Sequence, residues 1–379
     1  MATPAFVEPD LDFIAQINSG SGLNLKKCYQ CATCSVVCTL SQDDQPFPRK
    51  EMIYAAWGLK DRLIANPDIW LCYNCGDCAM LCPRDARPGD VMNTLRKISI
   101  GEYSKPAALN QLVNDSTKLP WLFIIPVLVI ITMGLATGLM NLSPGGETIV
   151  FARFFPVSLI EMIFIPLSLA VALVFFNGIS RFLKDMQATY ARLGKSAVGP
   201  IDFKRFLIIM ITQLPGIITH EGFSTCSENK GRKISHMMVA FSFASLAFVA
   251  GAFVFALYVL NSHGPYDQIN PVKILANVSG IALIAGSLLL IRNRRANARQ
   301  TNGYFDWYLL GLALFLGITG MLTQMLRLAD ISWAAYFMYF IHLILAFNLI
   351  AFLPYTKLAH LVYRTVAITF YHYAKKGNS

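Results

Sequence analysis

Eight of the nine cysteines in this chain fall into two copies of one spacing, Cys-x2-Cys-x2-Cys-x3-Cys. Three thiolates spaced by two residues can wrap one face of a cubane iron–sulfur cluster. When two such runs are paired, the fourth cysteine of each ligates the other cluster. We therefore predict two [4Fe–4S] clusters. The first is bound by Cys28, Cys31, Cys34 and Cys82, and the second by Cys72, Cys75, Cys78 and Cys38.

Two other uses of these cysteines fit the spacing less well. Zinc sites use Cys-x2-Cys pairs, but two runs of four, one of them followed by Pro83, favour cubane clusters. Disulfides need an oxidising compartment, and adjacent Cys-x2-Cys pairs rarely cross-link a fold. Thr39 stands where the second run has Pro83. This departure concerns the local turn rather than the ligands.

Composition divides the chain into two parts. A hydrophobic content of 55% with 14% charged residues is too apolar for a soluble protein of 379 residues. Residues 1–118 are polar and rich in cysteine, and long apolar runs dominate from Pro120 onward. We predict an all-α protein, with an N-terminal α-helical two-cluster ferredoxin-like domain over 1–118 and a six-helix transmembrane bundle over 119–379.

Six apolar stretches are long enough to cross a bilayer, which needs about 20 residues per helix. They are 120–140, 157–178, 236–260, 272–291, 305–326 and 333–354. None alternates with period two, so a helical bundle is expected rather than a barrel. A shorter run, 205–219, contains Pro215 and has charged flanks, so we predict an amphipathic or re-entrant helix on the cytoplasmic side.

Basic residues predict the orientation of the bundle. Lysine and arginine concentrate in 179–235, in 292–304 and in the C-terminal tail, while the alternate connections carry few. The first 27 residues contain no apolar run typical of a signal peptide. We therefore expect a multi-pass protein of the inner (cytoplasmic) membrane with both ends in the cytoplasm. The net charge of +10 then reflects topology and contact with anionic lipids of the bilayer, not binding of nucleic acid.

Histidines within or beside the spans are candidate haem ligands. A transmembrane electron path needs a cofactor inside the bilayer, and haem b held by two histidines is the usual one. His342 lies near the middle of the last span. His360 follows 18 residues later, which on one helix is five turns, or about 27 Å, on the same side, although Pro354 should bend the path. His236 opens the third span, and His220 ends the short helix before it.

The pairing of these histidines stays open. His236 and His360 lie at similar depths, which suggests one haem between them and leaves His342 without a partner. The other scheme pairs His236 with His342 and His220 with His360, and it gives two haems b. We favour two haems.

Smaller features complete the predictions. Residues 48–66, between the two cysteine runs, predict a helix with an approximate apolar stripe. Aromatic residues beside the runs, Tyr29, Trp70 and Tyr73, could shield the clusters from water. Cys226 is interpreted as an inert thiol, and Lys273 with Asn277 as residues that cap or pack a span.

At this point the chain resembles known families. The eight-cysteine module is similar to the small iron–sulfur subunit of heterodisulfide reductase, HdrC. The final span resembles the cytochrome b subunits of respiratory nitrate reductase in the order His342, Pro354, Lys357, His360. The fusion resembles the membrane subunits, QmoC, of the quinone-interacting membrane-bound oxidoreductase complexes of sulfate reducers. The segment from His220 to His236 is similar to those subunits at His220, Glu221, Gly222, Phe223, Cys226, Asn229, Arg232 and His236.

This resemblance implies a function. It implies an oxidoreductase subunit with a transmembrane cytochrome b domain and no catalytic residue of its own. Electrons would pass between menaquinone and adenylylsulfate reductase through two soluble flavin and iron–sulfur subunits similar to QmoA and QmoB. One departure from the nitrate reductase relatives is that no second histidine follows His236 by about ten residues.

Two alternative functions share some of these features. A similar HdrC/HdrE-type subunit could serve a heterodisulfide reductase or a sulfite-reduction complex, and sequence separates it poorly from the first function. A transporter or sensor typically has acidic residues inside its spans. The spans of this chain carry Glu161 and few other acidic residues, which disfavours this alternative.

Overall fold

The computed structural model describes residues 8–19, 23–142, 148–193, 199–220, 230–296 and 303–376. Within these ranges every regular element is helical, and six helices are long and apolar enough to cross a membrane. The predicted fold class is thereby confirmed. Cys226 lies outside the described residues.

The N-terminal module consists of short helices around the two cysteine runs. They are α1 (Leu11–Ser19), α2 (Thr33–Val36), α3 (Arg49–Ala56), α4 (Lys60–Leu63), α5 (Asp68–Leu71), α6 (Asp77–Met80), α7 (Pro88–Tyr103) and α8 (Ala107–Asn114). The prediction of one helix over 48–66 was wrong. The helical path is interrupted at Gly58, whose φ of +67° is left-handed. Gly58 also packs against Asp10, and a Cβ on Gly58 would lie 2.8 Å from the backbone nitrogen of Asp10.

The C-terminal part contains the six long apolar helices and two further helices. They are α9 (Leu119–Thr137), α10 (Val157–Arg192), α11 (Phe203–Thr219), α12 (Lys230–Tyr258), α13 (Pro271–Ala296), α14 (Tyr304–Leu328), α15 (Ser332–Ala351) and α16 (His360–Lys376). The short helix predicted over 205–219 is α11, and it packs along α16.

Helix α10 extends well beyond the span predicted over 157–178. It has 36 residues and is therefore about 54 Å long, against roughly 30 Å for the core of a bilayer. The apolar run ends near Gly178, but no helix breaker follows, and the remaining turns bury Phe182, Met186 and Tyr190 against the module. The hydropathy pattern marks the end of the apolar run rather than the end of the helix.

The segment from His342 to His360 is not one helix. Helix α15 ends at Ala351, two 3₁₀ turns follow over Leu353–Tyr355 and Lys357–Ala359, and α16 begins at His360. The predicted five continuous turns, and the shared face that they implied, were therefore wrong. Pro354 not only bends the path but also begins a compact turn, since proline cannot continue the hydrogen-bond pattern of a helix.

One hydrophobic core joins the module to the bundle. Trp70 of the module contacts Phe182 of α10 and Tyr363 of α16, with ring centroids 6.1 Å away in each case. All three side chains are fully buried. Gly178 allows α10 to pack closely against Tyr103 of the module, because a Cβ at this position would lie 2.8 Å from the carbonyl oxygen of Tyr103. The domains predicted over 1–118 and 119–379 thus share part of their core.

Candidate iron–sulfur and haem sites

The two cysteine runs fold in the same way. Each run has two residues with a left-handed φ, at the same two positions. They are Gln30 and Ala32 in the first run, and Asn74 and Gly76 in the second. A four-residue helix, α2 or α6, follows each time. The two runs therefore share one local backbone conformation.

The second predicted cluster has its four ligands in one place. Cys38 comes from the first run and lines the same pocket as Cys72, Cys75 and Cys78 of the second run. Gly89, near the start of α7, closes this pocket, and a Cβ there would lie 3.7 Å from Sγ of Cys78. The fold therefore brings the exchanged cysteine to the three that the spacing predicts.

The first predicted set is held together by its flanks. Lys27 lies 3.6 Å from Asp85, and the guanidinium of Arg84 lies 4.3 Å above the Tyr29 ring. These contacts place the chain after Cys82 against the chain around Cys28. The backbone N–H of Ala86 donates to Sγ of Cys82 over 3.3 Å, the kind of hydrogen bond that tunes the potential of a bound cluster.

The thiols are crowded, as a metal-binding donor set should be. Burial and the neighbouring Cys28 and Cys31 raise the pKa of Cys34 to about 11. Burial, together with Cys72, Cys75 and Cys38, raises the pKa of Cys78 as well. Thiolates crowded in this way need a positive centre to balance their charge, which bound iron supplies.

Ligands of a cubane bind four different irons and need not converge on one point. Among the residues that the structure describes, no three His, Cys, Asp or Glu side chains converge as the ligands of a single ion do. The two sets therefore fit [4Fe–4S] clusters by their residue types and their grouping.

Three of the four predicted haem ligands come together. His220 ends α11 in a left-handed conformation, and its ring centroid lies 4.9 Å from that of His236 on α12. His360, at the start of α16, is close enough to His236 to sense its charge. His220 and His236 contact each other directly, edge to face, so they do not stand on opposite sides of one iron.

A pocket separates His360 and His220 from the module. Its walls include Leu71 and Tyr73, the two neighbours of Cys72, as well as Arg364 and His372 of α16. Nδ1 of His360 lies 2.5 Å from the carbonyl oxygen of Lys357, which leaves Nε2 for a metal. Nε of Arg364 is buried and has no hydrogen-bond partner among the described residues. This combination suits a haem, which takes an imidazole nitrogen at iron and carries carboxylates.

His342 lies apart from this group. Its Nδ1 is 2.9 Å from Oγ1 of Thr319 on α14, and the ring packs against Gly320, where a Cβ would lie 3.1 Å from Cε1. Neither scheme of pairing is decided by these contacts. No sequence signal singled out Thr319, because a threonine inside a span is usually bonded to its own helix.

The fold and the two cysteine sites define a class: an all-helical protein with a two-cluster iron–sulfur module joined to helices that can span a membrane. Comparison with known proteins agrees for the module. The family described as 4Fe-4S dicluster domain matches residues 24–86. The N-terminal region is therefore an HdrC-like [4Fe–4S] ferredoxin domain.

The proteins similar to the module are heterodisulfide reductase components by name. The HdrC-type component of the H(2):CoB-CoM heterodisulfide,ferredoxin reductase of Methanothermobacter marburgensis is 35% identical over 88 residues, 23% of this chain and 47% of that protein. An HdrC-like protein of Archaeoglobus profundus is 35% identical over 81 residues, 21% of this chain and 43% of that protein. The chain thus spans about half the length of these curated relatives.

A further similarity extends beyond the module. Citrate utilization protein B of Escherichia coli is 24% identical over 314 residues, which are 79% of this chain and 79% of that protein. No solved structure matches the chain.

Arginines near Cys72 and the histidine-lined pocket were missed by the sequence reasoning. Arg96 of α7 donates to the carbonyl oxygens of Ile69 and Cys72 over 2.7 and 2.5 Å. Arg364 lies 5.5 Å from the centre of the Tyr73 ring. Arg364 belongs to the basic C-terminal tail that the positive-inside rule already explained, and Arg96 is one of the basic residues of the module, so neither carried a separate signal.

Proposed function

We propose that this chain is the membrane electron-transfer subunit of an oxidoreductase complex. It exchanges electrons between menaquinone, through haem b, and soluble flavin and iron–sulfur partners in the cytoplasm, through two [4Fe–4S] clusters. The observation that carries this proposal is the pocket that Tyr73 and Leu71 share with His220 and His360. The neighbours of a predicted cluster ligand and two predicted haem ligands line one cavity.

When bound, the clusters and haem supply one-electron chemistry, and the residues of the chain position them. His360 is oriented by the carbonyl group of Lys357. Nε of Arg364, which has no hydrogen-bond partner in the part of the chain that the structure describes, can pair with a carboxylate in the pocket. The buried aromatic core around Trp70 excludes water from the space between the module and α10. Low water content there limits the reorganisation that accompanies a change of charge.

The two cluster sites have different surroundings, and this suggests an order. The Cys72 set adjoins the histidine pocket, whereas the Cys28 set lies beside exposed apolar side chains. These are Tyr29, Val36, Met80 and Leu81, with exposed fractions of 67, 84, 41 and 56%. Exposed apolar groups in such a patch mark a surface for a protein partner. We place the Cys72 set on the membrane side and the Cys28 set on the partner side of the relay.

The proposed partners follow from the resemblance. Two soluble subunits similar to QmoA and QmoB would dock on the module and connect it to adenylylsulfate reductase in dissimilatory sulfate reduction. Both ends of the chain would lie in the cytoplasm, with the bundle in the inner membrane. The second candidate is an HdrC/HdrE-type subunit that serves a heterodisulfide reductase or a sulfite-reduction complex, and the similarity of the module to heterodisulfide reductase components favours it.

A redox-poised optical spectrum with EPR of the purified, detergent-solubilised chain tests the proposal, with iron and protohaem quantified. We expect about eight non-haem irons and two protohaems per chain, all reducible by a menaquinol analogue. A single protohaem would leave His220 with His360, or His236 with His360, as the one pair. Iron without protohaem would refute the haem and quinone parts of the proposal, and leave an iron–sulfur protein attached to the membrane.

A further inference from the structure

A second pocket lies at the opposite end of the bundle from the module. Helix α10 contacts the module near its C-terminal end, so its N-terminal end, with the end of α12 and the start of α13, lies far from the clusters. Here a cavity of about 230 Å³ opens between the helices and two connections. A water molecule occupies about 30 Å³ of liquid, so the cavity has room for a polar group of several heavy atoms.

Two cations line this cavity. Lys273 of α13 and Arg327 of α14 are both partly buried, and Lys273 is close enough to Arg327 to feel its charge. Neither side chain forms a hydrogen bond or an ion pair with any other residue of the described ranges. Like charges that are brought together and partly withdrawn from water destabilise a site unless an anion joins them. The cavity therefore has the donors of an anion site.

The walls are aromatic and firmly held. Phe253 and Tyr266 stack with their centroids 4.6 Å apart, and Phe151 lines another part of the cavity. The hydroxyl group of Tyr266 donates to the carbonyl oxygen of Ser262 over 2.8 Å. Gln268, in the same connection, accepts a hydrogen bond of 2.8 Å from Gln324 of α14. A fixed cavity with cations and apolar walls suits a ligand that is itself part anionic and part apolar.

We propose that this cavity binds the phosphate group of an anionic phospholipid. The ends of spanning helices lie at the level of the lipid headgroups, and aromatic residues are favoured at that depth. Basic pockets between transmembrane helices on the cytoplasmic side take such headgroups, and the same cationic donors can serve at the opposite ends of the helices. Lys273 and Arg327 donate to the phosphate oxygens, and the rings of Phe151 and Phe253 contact the glycerol and the first acyl carbons. Inorganic phosphate offers the same oxygens but none of the apolar part.

The test uses the full chain, purified in a non-ionic detergent and stripped of lipid. Thermal unfolding is followed as phosphatidylglycerol, phosphatidylcholine or inorganic phosphate is added, and lipid phosphorus per chain is measured after re-isolation. We expect phosphatidylglycerol alone to raise the unfolding temperature. We expect Lys273→Gln and Arg327→Gln each to weaken its binding roughly tenfold or more. Lys273→Arg should keep it. Arg153→Gln is the matched control, because Arg153 lies at the same end of the bundle but donates to Thr148.

The iron content and cluster absorbance of each variant show that it is folded. Equal binding of phosphatidylglycerol by the wild type and by the Lys273→Gln/Arg327→Gln double variant would overturn the proposal. An equal shift with inorganic phosphate would assign the site to a soluble anion instead. This outcome does not depend on whether the chain binds haem, so the proposal stands or fails apart from the proposed function.

Discussion

The imidazole of His360 is oriented by the carbonyl oxygen of Lys357, 2.5 Å from its Nδ1. Because a carbonyl oxygen can only accept, Nδ1 carries the proton and Nε2 has the free lone pair. Burial lowers the pKa of His360 to about 3, so the ring is neutral. A neutral imidazole whose other nitrogen is hydrogen-bonded is the usual form of a metal-binding histidine.

Asp306 of α14 should influence the orientation of His360, because it pairs with Lys357. It is ion-paired with Lys357 and lies 3.6 Å from Arg294, and it is almost fully buried. Asp306→Asn removes the carboxylate that faces both cations, and removing one member of a buried pair costs about 3 kcal/mol or more. We expect a lower unfolding temperature and a shifted haem midpoint potential, both measured on the purified chain. Asp115→Asn, which removes an exposed pair with Lys118, should change neither.

Each predicted haem ligand should be identifiable by substitution. We expect His360→Ala to lose about one low-spin protohaem, and likewise His342→Ala, when optical and EPR spectra are compared with the wild type at equal protein concentration. His263→Ala is the control, since His263 is exposed in a connection between spans. An unchanged spectrum in both ligand variants would contradict the assignment.

The exchange of the fourth cysteines can be tested with pairs of substitutions. If Cys38 serves the second cluster, Cys38→Ala/Cys75→Ala damages one site and should retain about four irons per chain. Cys38→Ala/Cys31→Ala damages both sites and should retain none. The reverse result would show that each run binds its own cluster. Cys226→Ala should keep all the iron, which is measured by colorimetric assay and EPR of the reduced chain.

A buried carboxyl group in the module should make stability depend on pH. Glu51 is fully buried, and burial raises its pKa to about 7, although Lys50 at 3.3 Å opposes this and Asp68 adds to it. The native state thus binds a proton that the unfolded chain releases above about pH 4.5. The contribution of the protonated Glu51 to the stability of the native state is complete below pH 4.5, and it is lost as the pH rises to about 7.

Glu51→Gln removes this dependence. Unfolding temperatures of the variant and the wild type should agree near pH 4.5 and diverge as the pH rises, with the variant more stable at pH 8 by up to roughly 3 kcal/mol. Glu102, which is half-buried and pairs with Lys60, supplies the control variant Glu102→Gln. A constant difference between wild type and Glu51→Gln across the pH range would show that Glu51 does not titrate.

The sequence predicted those features that depend on local pattern. The six spans, the short helix that ends at His220, and the helical class follow from hydropathy and spacing, and the structure has them. It did not predict that α10 continues to Arg192 or that the chain turns at Pro354. Both depend on contacts with distant segments: α10 is prolonged by packing on the module. Ser104 donates to the carbonyl oxygen of Pro354, which ties the turn to the module.

The site residues show the same division. Spacing was enough to propose the grouping of the cysteines, and the structure places Cys38 in one pocket with Cys72, Cys75 and Cys78. It was not enough for Arg96, Arg364 or Asp306, which acquire their roles only when helices far apart in sequence meet. A single basic or acidic residue near the end of a span has too many ordinary explanations to stand out.

The length of α10 has a consequence for the kinetics of the complex. One continuous helix passes through the bundle and ends in the core of the module, where Trp70, Phe182 and Tyr363 interlock. A carrier on a flexible tether must swing between donor and acceptor, and solvent viscosity slows that swing. This module is instead fixed to the bundle through α10. The rate of internal transfer should therefore be independent of viscosity, and only the arrival of quinol and of the soluble partner should respond to it.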